Sequence, residues 1–307
     1  MWFPEDKNNL ILYNKKVDND YGSVVYSIKS NKTTNVYNFP VYDLDKKGKF
    51  AISLNFSRLQ RLRPGYGYIN FRDSTNKDLH PVYDGIWLCS LMDNRKELII
   101  NLDQLSKFEA DSTMKDAEHY VNHLCFNPVG DRFLFFHLWV KGGKKYKRAI
   151  TSDLQGKNLK ILNNEGAVSH YCWKSNSEIL IFSSINKKKK YYLYKDLSNE
   201  VSTIGDGILN FDGHPTFFLD SKYILTDSYP DRFLREGSVI VFDSDKKKLN
   251  NIVDIFSPLS YISENRCDLH PRISLDSRYI CIDFPTSMGR RMMIIDISLK
   301  ECRTKDL

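Results

Sequence analysis

No apolar run in this 307-residue chain approaches the roughly 20 residues that a membrane-spanning helix needs. The first residues, Met1 to Asn9, are polar and acidic, where a secretory leader needs a basic and then an apolar stretch. The expected location is therefore cytoplasmic. Helical periodicity is almost absent. There is no Gly-x4-Gly-Lys phosphate loop, and no pair of carboxylates suited to hydrolysing a glycosidic bond. No familiar nucleic-acid motif accompanies the basic charge, so a nucleic-acid partner is not expected. Cysteine is sparse and widely spread: Cys89, Cys125, Cys172, Cys267, Cys281 and Cys302. Without a leader, these are expected to be free thiols or metal ligands rather than disulfides.

Strand-forming residues are abundant. Eighteen Tyr and eighteen Phe bring the aromatic content to 13%, and the 41% hydrophobic content is sufficient for a core. Lys and Arg number 45 against 38 Asp and Glu, a net charge of +7. Part of it is local, at Lys187 to Lys190, at Lys144-Lys145 with Lys147-Arg148, and at Lys246 to Lys248. Such runs suit solvated loop tips, or attraction to a polyanion.

Five of the seven histidines fall at matching points of one repeating unit: an apolar strand, a four-residue polar turn and a second apolar strand. The turns begin at Pro128, Ser175, Leu219 and Leu275, and a histidine stands five residues before each: His123, His170, His214 and His270. Antiparallel pairing predicts that a residue five before the turn faces one about five after it. In the first copy that partner is His137. Between these hairpins lie second hairpins, such as Gly85 to Ile100 and Ser238 to Ile255. The turns advance by 47, 44 and 56 residues, the spacing of four-stranded blades, so the expected fold is an all-β propeller. The long interval from the turn at Asp45 to Gly48 up to Pro128 leaves room for an extra blade. The expectation is seven blades, with six as the alternative, in one domain over residues 1–307.

Two histidine clusters carry the candidate chemistry. His214 and His270, with Cys267 and Cys281, offer two nitrogens and two sulfurs, a set that suits tetrahedral zinc. If the cysteines point away, His214, His270 and Asp268 instead suit a harder divalent ion such as manganese. The plainer alternative is that the cysteines are buried small hydrophobes and the histidines cap turns. The second cluster is His123, His137 and His170, candidates for general bases, with Tyr171, Tyr194 and Tyr229 as hydroxyl partners. Arg58, Arg61, Arg63 and Arg232 are candidates for neutralising a carboxylate. His80 and His119 lie off the repeat.

The segments His214 to Asp231 and His270 to Asp283, together with Asn122 to Pro128, Phe136 to Trp139 and Ser169 to Trp173, resemble blades of propeller-type polysaccharide lyases, the oligogalacturonate and ulvan lyases. The resemblance covers about residues 40 to 300 and implies a seven-bladed propeller. It also implies β-elimination on an anionic, uronate-containing poly- or oligosaccharide. By that resemblance His170 stands in the place of the base, and His214 and His270 stand in metal-ligand places. Asp268 occupies a position where a further histidine is expected. On the ulvan lyase side, His123, His137 and Tyr194 take the places of a histidine pair and a tyrosine. Asn210 stands where an arginine is expected, and Arg232 is a substitute by chemistry. The alternative is a non-catalytic propeller that binds glycans or proteins.

Overall fold

A computed structural model describes residues 1–6 and 9–297. Cys302 therefore lies outside the described residues. The chain divides into two compact units, Met1–Gly166 and Ala167–Leu307.

In the first unit, β1 (Leu10–Val17), β2 (Asp20–Ser27) and β3 (Lys32–Tyr37) form one antiparallel meander. A second contains β4 (Asp43–Leu44), β5 (Phe50–Ser53), β6 (Gly85–Ser90) and β7 (Arg95–Asn101). A third contains β8 (Glu118–Phe126), β9 (Arg132–Lys141), β10 (Lys144–Asp153) and β11 (Lys160–Asn163). Two short helices, α1 (Phe56–Leu62) and α2 (Leu102–Lys107), start at Asn55 and Asn101, whose side chains accept backbone N–H groups of the first turn.

In the second unit, β12 (Val168–Trp173), β13 (Glu178–Ile185), β14 (Lys188–Lys195) and β15 (Val201–Thr203) make the first sheet. The next contains β16 (Thr216–Phe218), β17 (Tyr223–Asp227), β18 (Glu236–Asp243) and β19 (Lys248–Phe256). The last contains β20 (Arg272–Ile273), β21 (Tyr279–Thr286) and β22 (Gly289–Asp296).

Among the described residues there are thus six blade-like sheets, the alternative count rather than seven. The long interval before Pro128 holds an insertion within one four-stranded sheet instead of another sheet. Residues 54–84, inserted between β5 and β6, form α1 and a long loop. No helix among the described residues is long and apolar enough to cross a membrane.

The strands follow from residue type. In β9, Phe133, Leu134, Phe135 and Phe136 are all buried, so both faces of the sheet are covered and the apolar run is continuous. The β9–β10 hairpin turns on Gly142 and Gly143, with φ of 55° and 76°, the left-handed pair that matches strand twist in a two-residue turn. The repeated polar turn is closed by a side chain. Asn127 Oδ1 accepts the backbone N–H groups of Gly130 and Asp131 at 2.9 and 3.1 Å, which satisfies donors that the strand ladder cannot.

The register departs from simple facing at the histidines. His137 pairs with Val121, and the register shifts between Asn122 and Cys125. His123 therefore sits in a bulge with φ of 56° and does not face His137. A similar shift between Val168 and Tyr171 places Ser169 and His170 in a bulge.

His137 and Tyr194 are core residues. His137 is fully buried, and its Nδ1 accepts the Arg148 Nε–H at 3.1 Å. Its proton is therefore on Nε2, which donates to His119 Nδ1 at 2.8 Å. His119 Nε2 donates in turn to the Met114 carbonyl at 3.1 Å. Arg148 also donates to the carbonyls of Leu105, Phe108 and Glu109, so this chain of neutral imidazoles fastens α2 and its following loop. An enclosed imidazole with both nitrogens engaged has no route to a substrate, which corrects the expectation that His137 is a base. Tyr194 is likewise 2% exposed and hydrogen-bonds Ser183 Oγ at 2.8 Å, so it serves packing rather than acid catalysis.

Burial is the main reason that the His119 pKa falls to about 4, and burial with the Arg148 charge holds His137 well below its ordinary value. In the unfolded chain both imidazoles titrate near pH 6.5. Between about pH 6.5 and 4 the unfolded state binds more protons, so stability is full above pH 6.5 and is lost as pH falls. For His119 alone the expected loss is about 2 kcal/mol by pH 5. Thermal unfolding between pH 7.5 and 4.5 checks this. His119→Asn, whose amide oxygen can accept the same bond, is expected to flatten the acid limb. An unchanged limb would remove the histidine pair from the explanation.

Candidate active site

The second unit brings three repeat histidines together. His170 and His214 have ring centroids 4.0 Å apart, and His214 and His270 are 4.1 Å apart. They stand at the starts of the first strands of three sheets, where the ladder is interrupted and side chains are released from the core. Pro215 and Pro271 follow the second and third of them. Proline forgoes a donor and suits a strand entry.

Asp227, the last residue of β17, organises this group. Its carboxylate accepts the backbone N–H of His214 at 2.6 Å and that of His270 at 3.2 Å. It also takes the His214 Nδ1 proton, at 2.8 and 2.9 Å from its two oxygens. Burial opposes ionisation of Asp227, but the bonds and charge from His214 outweigh it and hold the carboxyl below its ordinary range. Gly213 permits the approach, because a Cβ there would lie 1.8 Å from the Asp227 carbonyl oxygen.

His170 is oriented from both sides. Its Nδ1 lies 2.9 Å from Asp212 Oδ1, and Ser169 Oγ donates to the other Asp212 oxygen at 2.6 Å. The carboxylate fixes the proton on Nδ1, so Nε2 is the free base, 3.2 Å from the Tyr229 hydroxyl. Burial and the nearby Asp268 carboxylate push the Tyr229 pKa far up, against the opposing Arg266 charge, so the phenol keeps its proton. The Arg266 guanidinium lies 4.9 Å over the Tyr229 ring and pairs with Asp268 at 2.6 Å.

One donor atom from each of His214, Asp268 and His270 lies within 4.8 Å of the others, and among the described residues these three form the group able to hold a metal ion. Because Asp227 engages His214 Nδ1, Nε2 is the atom left for a ligand. His270 is half-exposed, with burial and the neighbouring His214 lowering its pKa. Cys267 and Cys281 are not in the group. Cys267 is buried, and its thiol pKa is raised chiefly by that burial. Cys281 lies on β21 with its sulfur 3.6 Å from the Arg272 guanidinium, opposite Arg272 in the register. The expected thiolate–imidazole zinc set is therefore not assembled: Cys267 is buried in the segment before β20, and the β20–β21 pairing sets Cys281 beside Arg272.

The other expected residues have different surroundings. Arg232 is exposed in the loop held by Asp231, which accepts the backbone N–H groups of Phe233 and Leu234. The arginine beside Tyr229 is Arg266, which sequence reasoning missed. Asp212 and Asp227 were missed as well. The hairpin geometry that paired His123 with His137 would have placed Asp227 opposite His214. In the first unit, Arg58 is 1% exposed and donates to the carbonyls of His119, Thr75, Asp78 and Leu79. Arg61 is taken by Asp73 and Glu118. Arg63 lies 3.5 Å from His123 Nε2 and 3.7 Å over the Tyr66 ring. His80 pairs with Asp103 at 3.1 Å.

No family model and no curated protein matches this sequence. Solved structures do match in fold. An oligogalacturonate lyase from Vibrio parahaemolyticus superposes with a TM-score of 0.63 at 10% identity, over 92% of this chain and 74% of that one. An oligogalacturonate lyase in complex with manganese gives 0.56 at 8% identity, over 96% and 87%. The β-propeller domain of the Trilobed protease from Pyrococcus furiosus gives 0.53 at 12% identity, over 94% and 79%. At these identities the likeness establishes the fold, a β-propeller, which lyases and proteases share.

The three bonds to Asp227 make a specific expectation. Asp227→Ala leaves two strand-entry amides and an imidazole without their acceptor and is expected to cost about 3 kcal/mol or more in urea unfolding. Asp212→Ala, at a half-exposed carboxylate, is expected to cost less than about 1.5 kcal/mol. Equal losses would show that Asp227 does not organise the cluster.

Proposed function

We propose that this protein is a carbon–oxygen lyase that cleaves an anionic, uronate-containing oligo- or polysaccharide by β-elimination. The observation that supports it most is the His170–Tyr229 pair, with His170 Nδ1 held by Asp212, beside the group His214, Asp268 and His270. Two imidazoles and one carboxylate suit a divalent ion that accepts nitrogen and oxygen ligands. The manganese complex of the oligogalacturonate lyase favours manganese over zinc for this chain. A bound divalent ion would supply positive charge to the substrate carboxylate and so acidify the proton at C5.

The chain's own groups account for the proton movements. His170 Nε2 removes the C5 proton, and Asp212 stabilises the imidazolium. The C5–H electrons form the C4–C5 double bond as the C4–O bond breaks, and Tyr229 protonates the departing oxygen. The imidazolium then returns a proton to the tyrosinate across the 3.2 Å contact, which restores both groups. Arg266, stacked on the Tyr229 ring, orients the phenol.

The closeness of base and acid also bears on the substrate. Two groups 3.2 Å apart address one face of a sugar ring, so the C5 hydrogen and the C4 oxygen leave from the same side. In D-glucuronate these substituents lie on the same side, and in D-galacturonate they lie on opposite sides. The preferred substrate is therefore gluco-configured.

Ultraviolet absorbance of the conjugated product, measured on glucuronate and galacturonate polymers with added manganese, tests the reading. Glucuronate is expected to give the faster signal. His170→Ala and Tyr229→Phe are each expected to lower kcat about a hundredfold or more, and Asp268→Ala to weaken the response to manganese. Absorbance that stays flat across uronate polymers while the protein binds them would favour a non-catalytic glycan-binding propeller.

A further inference from the structure

The first unit contains a second groove that the lyase chemistry does not use. It has a volume of about 240 Å³, a little below the roughly 300–1,000 Å³ of sites that enclose drug-sized ligands. Its walls come from β2, β5 and β6 and from the inserted residues 54–84. Insertions of this length in a compact fold are commonly functional.

The lining is mixed in a particular way. Tyr21, Phe71, Tyr83 and Trp87 supply ring surface, and Tyr83 is 57% exposed. Tyr21 and Phe71 meet edge to face at 4.8 Å, and the Phe71 N–H donates to the Tyr21 hydroxyl at 3.0 Å, so this wall is fixed. Between the rings lie Ser53, Ser74, Asn55 and Asp84. Ser53 is 3% exposed. Asp84 is buried, and its two oxygens accept from Asn55 Nδ2 and from the Gly85 backbone N–H, each at 2.8 Å.

Cations stand over the rings: Lys96 lies 5.1 Å over Trp87, and Lys16 lies 5.6 Å over Phe71. Arg72 also lines the groove, exposed and without a hydrogen bond or ion pair among the described residues. The negative charge of Asp20 is directed at the backbone N–H of Tyr21 at 2.7 Å.

We infer that this groove binds one or two rings of an acidic saccharide, separately from the histidine cluster. A pyranose lays its C–H face on an aromatic ring and directs its hydroxyls outward to groups such as Ser53, Ser74 and Asp84. Arg72 and Lys96 select ligands that carry a carboxylate or sulfate. This inference does not rest on the lyase reading, since every residue lies within Met1–Gly166.

The test is calorimetric titration of a β-1,4-glucuronan tetrasaccharide into a His170→Ala/His214→Ala protein, which neither cleaves the probe nor keeps an intact histidine cluster. Binding is expected to persist in that background. Adding Tyr83→Ala or Arg72→Ala, both at exposed side chains, is expected to weaken it about tenfold or more. Cellotetraose, the uncharged counterpart, is expected to bind at least about tenfold more weakly than the tetrasaccharide. No binding in the double variant, binding indifferent to both added substitutions, or equal affinity for the two probes would each overturn the inference. Absence of elimination by the unsubstituted protein, with groove binding intact, would count against the lyase reading alone.

Discussion

The Asp227 carboxylate is the constraint on which the candidate site depends. One buried anion accepts the amide of His214 shortly before β16, the amide of His270 shortly before β20, and the imidazole of His214. It thereby ties two neighbouring strand entries together and spaces their histidines at 4.1 Å. Its desolvation is costly, and three charge-assisted bonds offset that cost. Without them, two imidazoles this close would repel as soon as both took a proton.

The same repeat position has opposite outcomes in different surroundings. His170, His214 and His270 each have a carboxylate nearby, Asp212, Asp227 and Asp283 respectively, and each retains some exposure. His123, at the same offset from its turn, instead meets Phe136, Tyr66 and Arg63. His137 lies one strand away in β9, where burial first and the Arg148 charge second keep it neutral. Residue type therefore names the chemistry available, and the partner on the next strand decides whether it is used.

Much of the fold was legible because it is local. The four-residue turns, the alternating aromatic strands and the near-regular spacing are properties of short segments, and the hairpins around the repeated turns were placed close to where they form. The blade count was not legible. The insertion over residues 54–84 takes up much of the length that an extra blade would need, and only strand pairing distinguishes the two. Likewise, the two strand bulges left no clear mark in the sequence, yet they carry His123 and His170 out of register.

The sequence by itself determined which residues recur at the strand entries, and hence that histidines collect there. It did so because a hairpin returns the chain at a fixed distance from its turn. It also offered the Asp268 alternative to the cysteines. Only the tertiary structure decided that Asp268 and not Cys267 or Cys281 joins His214 and His270, that Tyr229 and not Tyr194 meets His170, and that Arg266 stands where Arg232 was expected. These choices depend on which way a side chain points from its strand and on what the adjacent sheet presents to it. Both are set by packing between segments far apart in the chain, which no local pattern encodes.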